Sequence, residues 1–352
     1  MRRRELMALF GLTAVSSLSW SQNRMPIADA HNHIGLLRRN TDSVPKLAAL
    51  MRESGVHLLS WTIVPDGPFL RLSSTGIEQG RPINSGELRS SFDRQLGNAT
   101  GGIAGGGVTI VRTLGDLEKA AMGEPCVVLT TEGADFLEGS LEGLVQAYDR
   151  GIRHVQLVHY IQNPVGDLQT ERPKHDGLSE FGKSLIKALN AQGILIDLAH
   201  STGASIDQAM ELSKVPMIWS HGFIARNEPV WTVGGWKARG LSEAHAKKFA
   251  QSQGAVGLWC LSDSFGGGLD GYASEIIRMV TLLGPDHVMF GTDEDGLPSG
   301  AVVQQLGDLR KVVDILARRG VEEKVLRAVA FENYLRSLKT AFTARTGIPP
   351  NQ

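Results

Sequence analysis

The chain has 352 residues, enough for one large α/β domain with loop insertions, and its 42% hydrophobic and 21% charged residues exclude a disordered or fibrous protein. Lys and Arg number 36 against 37 Asp and Glu, so the net charge of -1 supplies no bulk positive field to gather nucleic acid or anionic membrane.

The N-terminal segment reads as an export signal. Arg2, Arg3 and Arg4 precede an apolar stretch from Leu6 to Val15 and a small polar run from Ser16 to Ser21, the n-region and h-region order of a signal peptide. The stretch is too short to span a bilayer as a helix. Paired arginines suggest the twin-arginine route, with an untargeted amphipathic helix as the alternative. Residues 1–24 are therefore set apart as signal and residues 25–345 as one domain, with a periplasmic or secreted location expected.

Eight short apolar runs follow, separated by segments of helical period: Pro26 to Ala30, His57 to Val64, Pro125 to Thr130, Ile152 to Val158, Ile194 to Ala199, Val215 to Ser220, Ala255 to Cys260 and His287 to Thr292. This alternation predicts βα units and a parallel sheet, and eight of them predict an α/β TIM (β/α)₈ barrel. Glu180 to Gln192 is expected as a helix capped by Ser179, and Leu241 to Ser252 opens similarly with Ser242. The stretch from Asp66 to Gly123, with glycines 101, 102 and 105–107, predicts a long insertion after strand 2. Cys126 and Cys260, the two cysteines, lie inside separate apolar runs and are expected to be buried and unpaired.

Polar residues cluster at the ends of these runs. Run one ends in His31-Asn32-His33, run three in Glu132, run four in His159, run five in His200, run six in His221 and run eight in Asp293. Barrel active sites form at the C-terminal ends of the strands, so five of the ten histidines converge on one face. Imidazole and carboxylate suit Zn²⁺ and related ions, and one carboxylate can bridge two of them. Alternate strand residues share a face, which pairs His31 with His33. Asp197, on the strand leading to His200, is either an orienting partner for a ligand imidazole or a buried carboxylate bonded to backbone.

The residues resemble the renal (membrane) dipeptidase family, peptidase family M19. The resemblance rests on segment 132–159 (EGADFLEGSLEGLVQAYDRGIRHVQLVH), segment 177–201 (GLSEFGKSLIKALNAQGILIDLAHS), Ser220-His221, segment 291–296 (GTDEDG) and segment 332–336 (ENYLR). It runs from about residue 27 to 340 and is thin between 65 and 110. The resemblance implies that His31, His33 and Glu132 hold one metal and that Glu132 bridges to a second held by His200 and His221. It further implies that His159 contacts the substrate, that Asp293 handles protons, and that Arg239 in KARGLSE (237–243) binds a substrate carboxylate, with Arg226 as the competing clamp. One departure stands out, because the family's first motif has Asp where this chain has His33.

The function so implied is hydrolysis of the peptide bond of dipeptides by water activated between two divalent ions, with Zn²⁺ the first candidate. Such ions, about 3.5 to 4 Å apart, lower the pKa of water toward about 7. The expected partner is a small dipeptide substrate, with no nucleic acid, no stable membrane span, and a homodimer left open. Competing readings are a TatD-like nuclease or other amidohydrolase, whose ligand order is similar, and an inactive barrel acting as a binding protein.

Overall fold

The computed structural model describes residues 25–37, 44–74, 76–227, 235–297 and 299–346. The expected signal segment, 1–24, lies outside the described residues.

All eight apolar runs form strands: β1 (Ile27–Asn32), β2 (Val56–Ile63), β3 (Cys126–Thr131), β4 (Ile152–Gln156), β5 (Leu195–Asp197), β6 (Ile218–Trp219), β7 (Ala255–Leu258) and β8 (Val288–Phe290). They pair in parallel in chain order. The sheet closes between its last and first strands, where Asp293 N–H donates to His31 C=O at 3.0 Å and His33 N–H to Glu294 C=O at 2.9 Å. Closure removes the sheet edges and brings the ends of β1 and β8, which carry His31, His33 and Asp293, side by side.

The barrel has two cores. Apolar residues on the outer faces of the strands pack against the surrounding helices. Inside, Ala28, Leu58, Val128, Leu195, Ile218 and Met289 meet Phe331, Tyr334 and Leu338 of the C-terminal helical segment, which closes the end of the barrel opposite the strand C-termini. Above this plug the interior turns polar. Ser60 Oγ lies 2.7 Å from Thr130 Oγ1, and Tyr334 Oη lies 3.1 Å from His154 Nδ1.

Local sequence explains the helix ends. Ser179 Oγ accepts the Gly182 N–H at 3.0 Å to open the helix Glu180–Gln192, which stops at Gly193 with φ 71°. Ser242 caps Glu243–Gln251 in the same way. Leu241, expected inside that helix, pairs instead with Ile224, because Gly240–Leu241 runs parallel to Phe223–Ile224. Both cysteines are buried and free.

The insertion after β2 is more structured than a loop beside a helix. It holds an antiparallel hairpin (Leu70–Leu72 with Ile77–Gln79), helices Glu87–Gly102 and Leu114–Ala121, and a short strand, Thr109–Ile110, that adds to β3. Two glycines let β6 sit where it does. A Cβ on Gly257 or Gly291 would lie 1.8 or 1.7 Å from the Ser220 carbonyl oxygen, so side chains on β7 and β8 would push Ser220-His221 out of place.

Candidate metal centre and active site

The strand C-termini open on a cavity of about 790 Å³ whose lining includes His33, Glu132, His159, His200, Arg239 and Asp293. Glu132 stands at the centre. Its Oε1 lies 3.0 Å from His200 Nε2, 3.2 Å from His159 Nε2, 3.4 Å from His221 Nε2 and 3.6 Å from His31 Nε2, while its Oε2 faces His33 Nε2 at 3.4 Å. Oε1 thus faces His200, His221 and His31, and Oε2 faces His33. Asp293 Oδ1 is 3.2 Å from His33 Nε2 and 3.9 Å from His31 Nε2, so it joins the first pair. Donor atoms of His31, His33 and Asp293 all lie within 4.8 Å of one another, as do those of Glu132, His159 and His200.

The donor set fits a metal. His33 Nδ1 donates to Thr62 C=O at 2.8 Å, which leaves its Nε2 lone pair facing His31 Nε2 at 3.0 Å. His200 and His221 face each other through Nε2 at 3.2 Å, and Ser220 Oγ lies 3.3 Å from His31 Nδ1 and 2.9 Å from His221 Nδ1. Nitrogen lone pairs at such spacing repel unless a cation, proton or metal, lies between them. Nδ1 held by a neighbour and Nε2 aimed inward is the usual state of a ligand imidazole.

Electrostatics point the same way. Burial alone would raise the Glu132 carboxyl, but His159, His31, His200 and His221 hold it well below the usual range. Burial, then His31 and Arg239, push His221 down to about 4, and burial with Arg239 pushes His200 well below the ordinary imidazole value, so both stay neutral as ligands must. His33 goes the other way. Burial opposes its charge, yet Asp293 and Glu132 together raise it to about 10, so this corner of the site draws positive charge. His200 (φ 68°) and Asp293 (φ 60°) both adopt the left-handed backbone region, a strained state that recurs at functional sites.

Arg239 is brought back to the mouth by the Phe223–Ile224 and Gly240–Leu241 pairing. It is 1% exposed, and its guanidinium lies 5.4 Å from the Trp259 ring centre and 6.0 Å from that of Tyr160. Its Nη2 is 3.2 Å from His221 Nε2 and its Nε is 3.4 Å from Gln169 Oε1. Among the described residues no carboxylate pairs with it. Arg226, the competing clamp, instead donates to Glu275 at 3.1 Å with its side chain 67% exposed, outside the cavity lining. Asp197 accepts N–H groups from Ala199 and Ser220 at 2.9 Å each and lies 3.3 Å from His154 Nε2, and its carboxylate also falls within 4.8 Å of donor atoms of His31 and His221, so both options stand at this position.

Sequence reasoning missed Asp66. Its buried carboxylate accepts the His159 Nδ1–H at 2.7 Å and the Tyr160 N–H at 3.3 Å, which orients the imidazole over Glu132. The available signal was its place two residues after the second apolar run. Ser220 was visible only as part of a motif. Tyr160 and Trp259, the aromatic walls, each adjoin a strand-end position.

Residues 104–350 match the family model for membrane dipeptidase, peptidase family M19. Glu132, His159, His200, His221, Arg239 and Asp293 fall inside the match, whereas His31 and His33 precede it and reach the cluster through the fold. The chain is 26% identical over 226 residues to dipeptidase tcpJ of Claviceps purpurea, covering 62% of this chain and 51% of that protein. It is 26% identical over 221 residues to dipeptidase aclJ of Aspergillus oryzae, covering 60% and 50%. The chain thus spans about half the length of these curated relatives. Among solved structures, a dipeptidase of family M19 superposes with a TM-score of 0.76 at 20% identity, covering 91% of this chain and 99% of that one. A metallopeptidase from Rhodobacter sphaeroides, liganded with a phosphinate mimic of the dipeptide L-Ala-D-Ala, gives 0.75 at 20% identity, covering 90% and 99%. These two likenesses establish the barrel fold, and the family match over well more than half the sequence means that the chain belongs to the membrane dipeptidase family, peptidase family M19.

Proposed function

We propose that this protein is a metal-dependent dipeptidase. The observation that carries the reading is the meeting, on one cavity, of a buried histidine–carboxylate cluster with a buried arginine that has no carboxylate partner among the described residues. The Rhodobacter sphaeroides relative's dipeptide mimic supports a substrate of that size.

His31, His33 and Glu132 would hold one ion, and Glu132, His200 and His221 a second, with Zn²⁺ favoured by the nitrogen and oxygen donors. Divalent ions there would polarise the scissile carbonyl and lower the pKa of water to about 7. The protein's own groups do the rest. Arg239 would take the substrate's terminal carboxylate through two parallel hydrogen bonds, fixing the scissile bond over the cluster. His159 has its imidazole raised above the ordinary value, since Asp66 and Glu132 outweigh the opposing effect of burial. Held by Asp66 with its Nε2 toward the cluster, it would face charge developing on the carbonyl oxygen. Asp293 would accept a proton from the attacking water and deliver it to the leaving amine.

Export of the chain to the periplasm or medium, directed by residues 1–24, and assembly as a homodimer belong to the same proposal. Cell fractionation and light scattering test them. The catalytic reading is tested by stripping the enzyme with a chelator, measuring hydrolysis of a dipeptide panel, and restoring Zn²⁺ or Mn²⁺. Activity that disappears and returns with the metal supports it. Full activity in a verified metal-free preparation, or hydrolysis of single-stranded DNA but no dipeptide, refutes it.

A further inference from the structure

We propose that the residue on the amino side of the scissile bond carries a large apolar side chain, and that the hairpin inserted after β2 selects it. The inference rests on the dipeptidase reading above.

The argument begins with barrel geometry. Arg239 lies in the loop after β6, and in an eight-stranded barrel of sequential order β2 stands diametrically opposite β6. A dipeptide whose carboxylate meets Arg239 and whose scissile bond lies over Glu132 therefore directs its amino-side residue toward the β2 insertion. That side of the cavity carries an apolar strip, flanked by Arg71, Arg94 and Gln95. In the hairpin, Leu72 pairs with Ile77, and Leu70 shares the face of Leu72 because alternate strand residues point the same way. All three line the cavity, and Leu36 and Leu297 continue the surface from the loops after β1 and β8. The intervening Arg71 and Glu78 are tied to each other at 2.7 Å.

Exposure supplies a second reason. Leu72 is 69% exposed and Leu37, also on this cavity, 42%, and large apolar side chains left in water at a cavity mouth gain from a ligand that covers them. Charge supplies a third. The carboxylates lining the cavity are Glu132 and Asp293, both within the cluster, so the β2 side offers none to a basic side chain, and of the two guanidiniums on that side Arg71 is already paired with Glu78, which leaves Arg94 as the group an acidic side chain would have to meet.

The test measures kcat/KM for Xaa-Ala dipeptides with Xaa as Gly, Ala, Leu, Phe, Asp and Lys, using the metal-replete full chain. Leu-Ala and Phe-Ala should exceed Gly-Ala by roughly 10- to 100-fold, the factor expected for burying one such side chain. L72D and I77D alter partly exposed hairpin positions outside the catalytic cluster. Each should remove most of that preference while leaving Gly-Ala hydrolysis nearly unchanged. A flat profile, or a preference for Asp or Lys, overturns the inference while the dipeptidase reading stands. An apolar preference that both variants retain overturns the assignment to the hairpin. If no dipeptide is cleaved, both readings fall.

Discussion

Replacing Arg239 by Met tests the carboxylate clamp with two readouts that move in different directions. The guanidinium is 1% exposed, has no carboxylate partner among the described residues, and is held by Gln169 and the Trp259 and Tyr160 rings. A hydrogen bond to a charged group contributes about 1.5 to 3 kcal/mol, so Arg239→Met should lower kcat/KM for a dipeptide by roughly 10- to 150-fold. The loss should be far smaller for the C-terminally amidated dipeptide, which lacks the partner charge. Stability should not follow activity. An unpaired buried cation is a net cost to folding, of several kcal/mol before compensation, and two cation–π contacts at these distances return only about 0.5 to 2 kcal/mol each. The variant should therefore melt at or above the wild-type temperature. Equal kinetic losses on both substrates together with a clear fall in Tm would mean that Arg239 is a structural residue, and the clamp would be refuted.

Asp66→Asn should lower kcat by roughly 10- to 100-fold with KM and metal content little changed, because it removes only the group that orients His159, and Asp66→Glu should recover part of the loss. A raised KM with unchanged kcat would contradict that role. Asp167 accepts backbone N–H groups from Lys174, His175 and Gly177 at 2.6, 3.0 and 2.9 Å. Burial would raise its carboxyl, but these bonds hold it below the ordinary value. Its stabilisation is thus present above the unfolded pKa, about 3.9, and is lost as pH falls through the lower folded value. Denaturant unfolding at neutral pH should show Asp167→Asn less stable by about 2 kcal/mol, with the difference shrinking below pH 4, and a pH-independent difference would refute the linkage.

The barrel was legible because strand-length apolar runs alternating with helical period leave few arrangements open, and all eight runs became strands within a few residues of their expected bounds. The cluster was legible because strand C-termini share one end of a barrel, so residues distant in sequence, such as His31 and Asp293, had to meet. What depends on loop conformation was not legible. That Arg239 rather than Arg226 lines the cavity follows the pairing of Phe223–Ile224 with Gly240–Leu241, a two-residue contact with no periodicity to announce it. Asp66 meets His159 across 93 positions of chain, and a single Asp in a Pro-Asp-Gly stretch reads as a turn. The selecting hairpin escaped notice for a similar reason, since three-residue strands are too short to display alternation.

Asp293 bears on His33, the position at which the resemblance leads to the expectation of an Asp. Asp293 Oδ1 lies 3.2 Å from His33 Nε2, so a carboxylate stands beside the His31–His33 pair. On the proposed reading, a carboxylate so placed would have two tasks, to complete a metal site with His31 and His33 and to carry a proton. The sequence alone suggested only the second, for which Asp293→Asn would lower kcat strongly and largely keep the metal. With both tasks, Asp293→Asn should lower kcat by roughly 100- to 10,000-fold and also weaken retention of one ion of the two, while the ion held by His200 and His221 remains. Asp295, two residues on and the weaker candidate for carrying the proton, accepts the Gly35 N–H at 3.3 Å in the loop after β1, so Asp295→Asn should be mild. Elemental analysis after dialysis against a graded chelator series, alongside kinetics, separates the cases. Two ions retained in an inactive Asp293→Asn enzyme would restrict Asp293 to proton transfer, and a fully active variant would remove it from the site.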